Sequence, residues 1–255
     1  MNTVKIKRKE QYAIVELANG KVNAINAELS KDLAQAFTEL EADKSVKAAI
    51  LTGQQGCFSA GMDVVAMATA DLEGTKELWR AYMMALRAMV RFSKPLIGAI
   101  SGFAPAGGTI FALCTDYRIM AKGEKHVMGM HEFKMSMVVP RMMSEIYAYQ
   151  LGEPVAWEAI QNARLFNSDQ AASIGLVHES VAEEDVLIRA EQHLQKMMKV
   201  YLPTYQTCKQ MFRKGLLDIV NQDIETLVDE IAKGWEDPFT QKIFQTFMEK
   251  LKRKS

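Results

Sequence analysis

A loop of small residues that precedes a predicted helix is the first place in this chain where chemistry could occur. The loop runs from Gly102 to Gly108, between an apolar segment over 95–100 that predicts a buried strand and an apolar segment over 109–113 that predicts a helix. Gly107 and Gly108 would point unbonded backbone N–H groups and the positive end of the helix dipole at a ligand. Such donors can stabilise an oxyanion. By itself, the pattern is more typical of a tight connection without chemistry.

A second glycine loop and one glutamate are the other candidates. The second loop covers 56–64 and follows an apolar segment over 47–52 that predicts a strand. Glu132 lies eight residues before Pro140 in a stretch of mixed composition. A lone glutamate is usually a surface carboxylate. A glutamate buried beside apolar side chains would instead have a raised pKa and could act as a general base.

These loops resemble the signatures of the crotonase (enoyl-CoA hydratase/isomerase) superfamily. Residues 94–119 resemble the central signature, which runs from Lys-Pro through a Gly-Gly turn to Asp-x-Arg-Ile, and residues 58–64 resemble the second signature, Phe-Ser/Ala-Ala-Gly-x-Asp. The combination of Ala-Pro-Ala-Gly-Gly at 104–108 with Cys-Thr-Asp-Tyr-Arg-Ile at 114–119 is most similar to the Δ3,Δ2-enoyl-CoA isomerase branch. The resemblance extends over nearly the whole chain.

The resemblance implies a binding site for an acyl-CoA substrate. It assigns the two N–H donors for the thioester oxygen to Met62 and Gly107, and because these donors belong to the backbone, the Met62 side chain is free to vary. Contacts with CoA or substrate are assigned to Ala24, Ser59, Ala60, Asp63, Val64 and His131. Ala24 belongs to a Val-Asn-Ala-Ile-Asn string in which Asn26 could also cap a helix predicted over 27–42. No metal site and no cofactor are implied, since the CoA thioester is itself the substrate.

The same resemblance assigns the catalytic base to Glu132. The spacing from Glu132 to Pro140 is that of the isomerases, whereas hydratases typically place this glutamate one residue nearer the proline. Hydratases also need a second glutamate two residues after Gly-Gly, where this chain has Ile110. Hydration requires two carboxyl groups, but one carboxylate can move a proton from C2 to C4. His131 replaces the usual asparagine, and its imidazole could lower the pKa of Glu132 or form a hydrogen bond with it.

We therefore expect an isomerase that shifts a cis- or trans-3 double bond of an enoyl-CoA to trans-2, in fatty acid β-oxidation. Another crotonase activity, hydration or thioester hydrolysis, is the alternative among enzymes. A non-catalytic acyl-CoA binder is the alternative from another class. Lys+Arg and Asp+Glu both number 31, so the net charge is zero and nucleic-acid binding is not expected.

The fold implied by the resemblance is α/β, a ClpP-like spiral of ββα units over residues 1–195. Residues 196–255 are expected to form a C-terminal helical region for trimers or hexamers, with breaks at Pro203 and Asp237-Pro238. The terminal helix would use an apolar face of Ile243, Phe244, Phe247, Met248 and Leu251, and Lys250 would approach the CoA phosphates. A methionine-rich helix over 71–92 either packs in the core or lines an acyl pocket.

The remaining composition gives only broad expectations. The three cysteines predict no disulfide framework and no metal site. There is no apolar run of the length of a membrane span. The absence of a recognisable targeting segment predicts a cytoplasmic protein, although a processed organellar form would look the same.

Overall fold

A computed structural model describes residues 1–135 and 137–252 of the chain. The strands are β1 (Val4–Arg8), β2 (Tyr12–Leu17), β3 (Ala48–Thr52), β4 (Gly56–Cys57), β5 (Leu96–Ile100), β6 (Gly102–Pro105), β7 (Tyr117–Ala121), β8 (Val127–Gly129), β9 (Phe166–Asn167) and β10 (Glu179–Val181). The helices are α1 (Ala27–Ala42), α2 (Val64–Thr69), α3 (Leu72–Arg91), α4 (Gly107–Leu113), α5 (Arg141–Leu151), α6 (Glu153–Gln161), α7 (Ser168–Ser173), α8 (Val186–Met197), α9 (Leu202–Phe212), α10 (Lys214–Val220), α11 (Ile224–Trp235) and α12 (Pro238–Lys252). Short 3₁₀ helices cover Glu132–Met135 and Glu183–Asp185.

Two sheets are built in alternation as the chain advances. One sheet has the order β1-β2-β3-β5-β7-β10 and the other the order β4-β6-β8-β9. Three successive passes, through β3 and β4, β5 and β6, and β7 and β8, each add a strand to both sheets before the chain turns into helices. Neighbouring strands from successive passes are parallel. This arrangement confirms the predicted spiral of ββα units.

The register of the smaller sheet brings the candidate loops together. Gly56 pairs with Gly102, and Pro105 pairs with Gly129. Because β4, β6 and β8 are parallel, their carboxyl ends meet at one edge of the sheet. The chain segments that leave this edge contain Met62, Gly107 and Glu132, in that order.

Most of the predicted elements were located correctly. Helix α1 begins and ends where it was predicted, and the Asn26 side chain caps it by accepting a hydrogen bond from the Leu29 N–H at 2.8 Å. The segment 102–105 was interpreted as part of a turn but forms β6, whose small residues carry no alternating pattern. Helix α2 was not predicted. Pro203 lies in the first turn of α9, so the break falls before it, as expected for a residue that lacks an N–H donor.

The C-terminal helices pack on the core of the same chain. Arg87 on α3 donates hydrogen bonds to the carbonyl oxygens of Val220 and Gln222, at 2.7 and 2.6 Å. Helix α12 packs on α2 and α11, and the centroid of its Phe244 ring lies 4.5 Å from that of the Trp235 ring. The side chains of Phe247, Lys250 and Leu251, to which roles were assigned, lie outside the described residues. The domain boundary at 195 and the oligomeric state stay predictions.

The helices that the structure describes include none with the length and apolar composition that crossing a membrane requires.

Candidate active site

Two backbone N–H groups remain unused where the glycine loops meet. Met62 forms a β-bridge with Ile25, in which the Ile25 N–H donates to the Gly61 carbonyl at 2.8 Å and the Asp63 N–H donates to the Ile25 carbonyl at 2.9 Å. The N–H of Met62 takes no part in this bridge. Over 1–135 and 137–252, neither this N–H nor that of Gly107, the first residue of α4, has a hydrogen-bond acceptor. Both are therefore available to a ligand.

Glycine at 61 allows the two loops to touch. Gly61 has φ +84°, and a Cβ atom there would lie 3.0 Å from the Pro105 carbonyl oxygen and 3.5 Å from the Gly107 nitrogen. A larger residue would be strained by its backbone conformation and would push the loops apart. The tip of the Met62 side chain completes the contact, since its Sδ would lie 3.3 Å from a Cβ on Gly107.

Ser59 holds the glycine loop over 56–64 in place through its hydrogen bonds. Its side chain is fully buried, and its Oγ donates to the Asn23 carbonyl at 2.8 Å and accepts from the Gly61 N–H at 3.2 Å. The next N–H, that of Ala60, donates to the Val22 carbonyl at 2.9 Å. The described contacts of Ser59 are thus with the protein, and its contact with substrate stays a prediction.

The other predicted CoA contacts lie around this loop. Ala24 is half-buried beside the bridge residue Ile25, and its carbonyl accepts a hydrogen bond from Asn19. The Asp63 carboxylate caps α2 by accepting from the Ala66 N–H at 2.9 Å. Val64 is the half-buried first residue of α2. The structure therefore brings these residues together, and their binding of CoA stays a prediction.

Glu132 begins the 3₁₀ helix that follows β8. Its side chain is half-buried, and its Oε2 atom is fully buried without a hydrogen-bond partner in the described part of the chain. Burial raises the pKa of Glu132 to about 7, against the opposing effect of the N–H groups of His131 and Glu132 itself. The predicted rise is therefore confirmed. A carboxyl group with this pKa can both accept and return a proton near neutral pH.

The His131 side chain does not pair with this carboxylate. Its Nδ1 is buried and has no partner among residues 1–135 and 137–252. Burial, assisted by the charge of Lys134, lowers the pKa of His131, so the imidazole is neutral near pH 7. The structure shows neither of the two effects suggested for His131. Its imidazole is not among the causes that shift the pKa of Glu132, and it forms no hydrogen bond with that carboxylate.

The charge of Glu132 acts on two buried tyrosines, and the sequence did not single out either as a site residue. The charge of Glu132 contributes to raising the pKa of both Tyr82 and Tyr147, after desolvation. The Tyr82 hydroxyl donates to the Gly107 carbonyl at 3.0 Å, whereas that of Tyr147 is buried without a partner. The fully buried residue at position 110 is an isoleucine, so the position carries no second carboxylate. The sequence feature that could have indicated them is a tyrosine, rather than a phenylalanine, on the apolar face of a predicted helix.

An apolar cavity of about 360 Å³ lies between the core and the C-terminal helices. Two of its lining residues are neighbours of site residues: Met67 lies on α2, which begins two residues after Met62, and the Met137 N–H donates to the Glu132 carbonyl at 3.1 Å. The ion pair between Arg141 and Glu230, 3.3 Å apart, lies at its wall. Further lining residues are Trp79, Val138, Val139, Pro140, Ser144, Ile231, Gly234, Trp235, Thr240 and Phe244.

This cavity bears on the two interpretations of the methionine-rich helix α3. Trp79 lines the cavity, while Met83 and Met89 are buried in the core and Met84 is exposed. Core packing therefore accounts for Met83 and Met89 but not for Met84. Among the described residues, no group of three or more His, Cys, Asp or Glu side chains is arranged to hold a metal ion.

Known proteins resemble this chain in both sequence and structure. The mitochondrial enoyl-CoA delta isomerase 1 of Mus musculus is 30% identical over 243 residues, which are 95% of this chain and 84% of that protein. A putative enoyl-CoA hydratase of Thermus thermophilus is 33% identical over 159 residues, which are 61% of this chain and 62% of that protein. The crystal structure of human mitochondrial Δ3-Δ2-enoyl-CoA isomerase superimposes with a TM-score of 0.94 at 27% identity, covering 99% of each chain.

These similarities establish the fold and the general activity. A sequence model of the family described as enoyl-CoA hydratase/isomerase matches residues 7–254. Homologues of both kinds support an enzyme that acts as an enoyl-CoA isomerase or hydratase. Because the family model covers nearly the whole chain and the backbone follows that of a family structure, the chain belongs to the enoyl-CoA hydratase/isomerase family and has the crotonase fold.

Proposed function

We propose that this chain is a Δ3,Δ2-enoyl-CoA isomerase that converts cis- or trans-3-enoyl-CoA to trans-2-enoyl-CoA in fatty acid β-oxidation. The observation that carries the proposal is the buried Oε2 of Glu132, which has no partner among the described residues, at the same sheet edge as the free N–H groups of Met62 and Gly107. The similarity to isomerases over nearly the whole chain supports it. The CoA thioester is the substrate, and the reaction needs no other cofactor.

The proposed reaction is a proton transfer in two steps. The Glu132 carboxylate removes a proton from C2, and the electron pair of the broken C–H bond spreads over a dienolate whose charge rests on the thioester oxygen. The N–H groups of Met62 and Gly107 hold this oxygen, and a donor of this kind is worth about 10²–10³ in kcat. The protonated Glu132 then returns the proton to C4, which leaves the double bond between C2 and C3.

The apolar cavity is the proposed place for the acyl chain beyond C4. Met67 and Met137 at its near side follow the two parts of the site, so a chain bound by its thioester would lead into it. The walls are mainly apolar, which favours burial of methylene groups. CoA itself would lie along Ala24, Ala60, Asp63 and Val64.

Hydration is the second candidate, because the Thermus relative is described as a putative hydratase. A hydratase of this family needs two carboxyl groups, and the buried residue that would carry the second is Ile110. Thioester hydrolysis and silent acyl-CoA binding are the remaining alternatives. They differ from isomerisation in the product they would give.

Replacing Glu132 by glutamine tests the proposal. Purified protein is incubated with a trans-3-enoyl-CoA, and the conjugated 2-enoyl thioester is followed by absorbance. We expect E132Q to lose about 10³-fold in kcat while still binding CoA ester, since the amide keeps the shape but cannot accept the proton. E124Q, at an exposed glutamate between β7 and β8, is the control and should match the wild type.

Each alternative predicts a different result. Absence of a conjugated product from chains of several lengths would contradict isomerisation. Water addition to a 2-enoyl-CoA would favour the hydratase, and release of free CoA would favour the hydrolase. CoA-ester binding without any product would identify a binder.

A further inference from the structure

Ala106, the residue before the oxyanion donor Gly107, has a backbone conformation that residues with a side chain rarely adopt. Its φ is +52° and its ψ is −123°. Residues in such regions persist only where the surrounding structure holds them, and they cluster at functional sites. The peptide that joins Ala106 to Gly107 carries the free N–H group. The angles of Ala106 therefore set the direction in which this N–H points.

Hydrogen bonds hold this turn on both sides. Before it, the Ala106 N–H donates to the carbonyl of Gly129 on β8 at 2.8 Å. After it, the Gly107 carbonyl accepts from the hydroxyl of Tyr82 on α3 at 3.0 Å. A Cβ atom on Gly107 would lie 3.2 Å from the same hydroxyl oxygen, so this group lies directly against Gly107. If Ala106 relaxed to a common conformation, the Gly107 carbonyl would move away from Tyr82.

The Tyr82 side chain is itself held firmly. It is fully buried, and the centroid of its ring lies 5.2 Å from that of Phe111 on α4. The ring of Trp79, also on α3, meets it edge-on with the centroids 6.0 Å apart. Burial raises the pKa of the Tyr82 hydroxyl, which therefore keeps its proton and acts as a donor. A phenylalanine could make the same ring contacts, so the hydroxyl calls for an explanation of its own.

We propose that Tyr82 is a positioning residue for the oxyanion site, whose hydroxyl holds the Gly107 carbonyl and so prevents the strained turn at Ala106 from relaxing. The Gly107 N–H thereby stays directed at the thioester oxygen. This inference rests on the proposed function, because it takes that N–H to be an oxyanion donor. A donor that is fixed in advance stabilises the developing charge without reorganisation during the reaction.

The test combines Y82F, which removes only the hydroxyl, with A106G, which removes the backbone strain. Turnover of a 3-enoyl-CoA is measured for each single variant and for the double variant. We expect Y82F alone to lower kcat about thirtyfold with KM within about threefold, a smaller loss than removal of an oxyanion donor causes. In the A106G background, Y82F should lower kcat by no more than about threefold, because glycine adopts this conformation without strain. Equal losses in the two backgrounds would overturn the inference.

Infrared spectroscopy measures the oxyanion site without turnover. A 2-enoyl-CoA with ¹³C at its thioester carbonyl is bound to the protein, and the C=O stretch is obtained by difference from the unlabelled ligand. Hydrogen bonds to the carbonyl oxygen lower this frequency. Y82F should therefore lose part of the lowering, and the double variant should regain it. An unchanged stretch in Y82F would contradict the proposed role.

Y205F is the matched control, because it also removes a buried tyrosine hydroxyl. Tyr205 donates to Asp116 at 3.0 Å, away from the site, so its loss should leave both kcat and the C=O stretch as in the wild type. All variants are assayed under conditions where circular dichroism shows them folded, since a lost hydrogen bond lowers stability.

The inference and the proposed function can fail separately. If E132Q retains isomerase activity, the proposed function fails, while the C=O stretch still reports whether Tyr82 orients the donor. If E132Q is inactive and Y82F keeps the turnover and the stretch of the wild type, only the role of Tyr82 is wrong.

Discussion

Two carboxylates with restricted access to solvent, Asp116 and Glu132, have opposite surroundings in this chain. The Asp116 carboxylate accepts hydrogen bonds from the Leu96 N–H at 2.8 Å, the Tyr205 hydroxyl at 3.0 Å, Lys209 Nζ at 2.6 Å and Arg213 Nη1 at 2.7 Å. Glu132 has a buried oxygen with no partner in the described residues. The Asp116 carboxylate therefore has four donors among the described residues, whereas Oε2 of Glu132 has none.

This difference separates a structural role from a chemical one. Asp116 follows α4 and connects β5 to α9, so its bonds join the spiral core to the C-terminal helices. Glu132 makes no such connection between elements in the described part of the chain, and burial raises its pKa to about 7.

The largest effect that would test this comparison is on stability. D116N should lower the free energy of unfolding by about 3–5 kcal/mol, because Lys209 and Arg213 would remain buried without their counter-charge. Urea denaturation followed by circular dichroism measures the change. The fraction that remains folded should keep its kcat within about threefold of the wild type, since Asp116 lies outside the site. A loss below about 1 kcal/mol would show that the ion pairs contribute no more than surface pairs do.

E132Q is the counterpart of D116N, because it should remove activity without lowering the free energy of unfolding. The folded-state pKa of Glu132 is raised from 4.5 to about 7, so its contribution to stability is complete below 4.5 and is lost as pH rises through about 7. The amide has no charge to bury. At pH 8, E132Q should therefore be at least as stable as the wild type, although it is inactive.

The next effect is the pH dependence of turnover. If ionised Glu132 is the base, kcat/KM should fall about tenfold for each pH unit below about 7 and level off above it. A pH series with one substrate under conditions where the protein remains folded measures this limb. A midpoint near 4.5, the ordinary value for glutamate, would mean that the carboxylate is not buried when substrate enters.

The same contrast explains what the sequence could predict. Helix α1 follows from a local pattern, whereas the spiral and the two N–H donors follow from the resemblance of the glycine loops to family signatures. The burial of the Tyr147 hydroxyl without a partner in the described part of the chain could not be predicted, because a tyrosine at helical spacing looks like a core residue. Strand β6 was missed because its small residues carry no period. A cytoplasmic location and the oligomeric state depend on surroundings that one chain does not contain, and both stay predictions.

The smallest effect concerns space rather than hydrogen bonds. Gly234, on α11, lines the apolar cavity, and a Cβ atom there would meet no atom within 4 Å. G234L should fill part of the cavity, so kcat/KM for 3-dodecenoyl-CoA should fall about tenfold while that for 3-hexenoyl-CoA stays unchanged. G234A is the matched control, and it should stabilise the helix by about 0.5–1 kcal/mol without changing chain-length preference. An equal loss for both substrates would place the acyl chain elsewhere, because a leucine on α11 hinders only an acyl chain that is long enough to reach this helix.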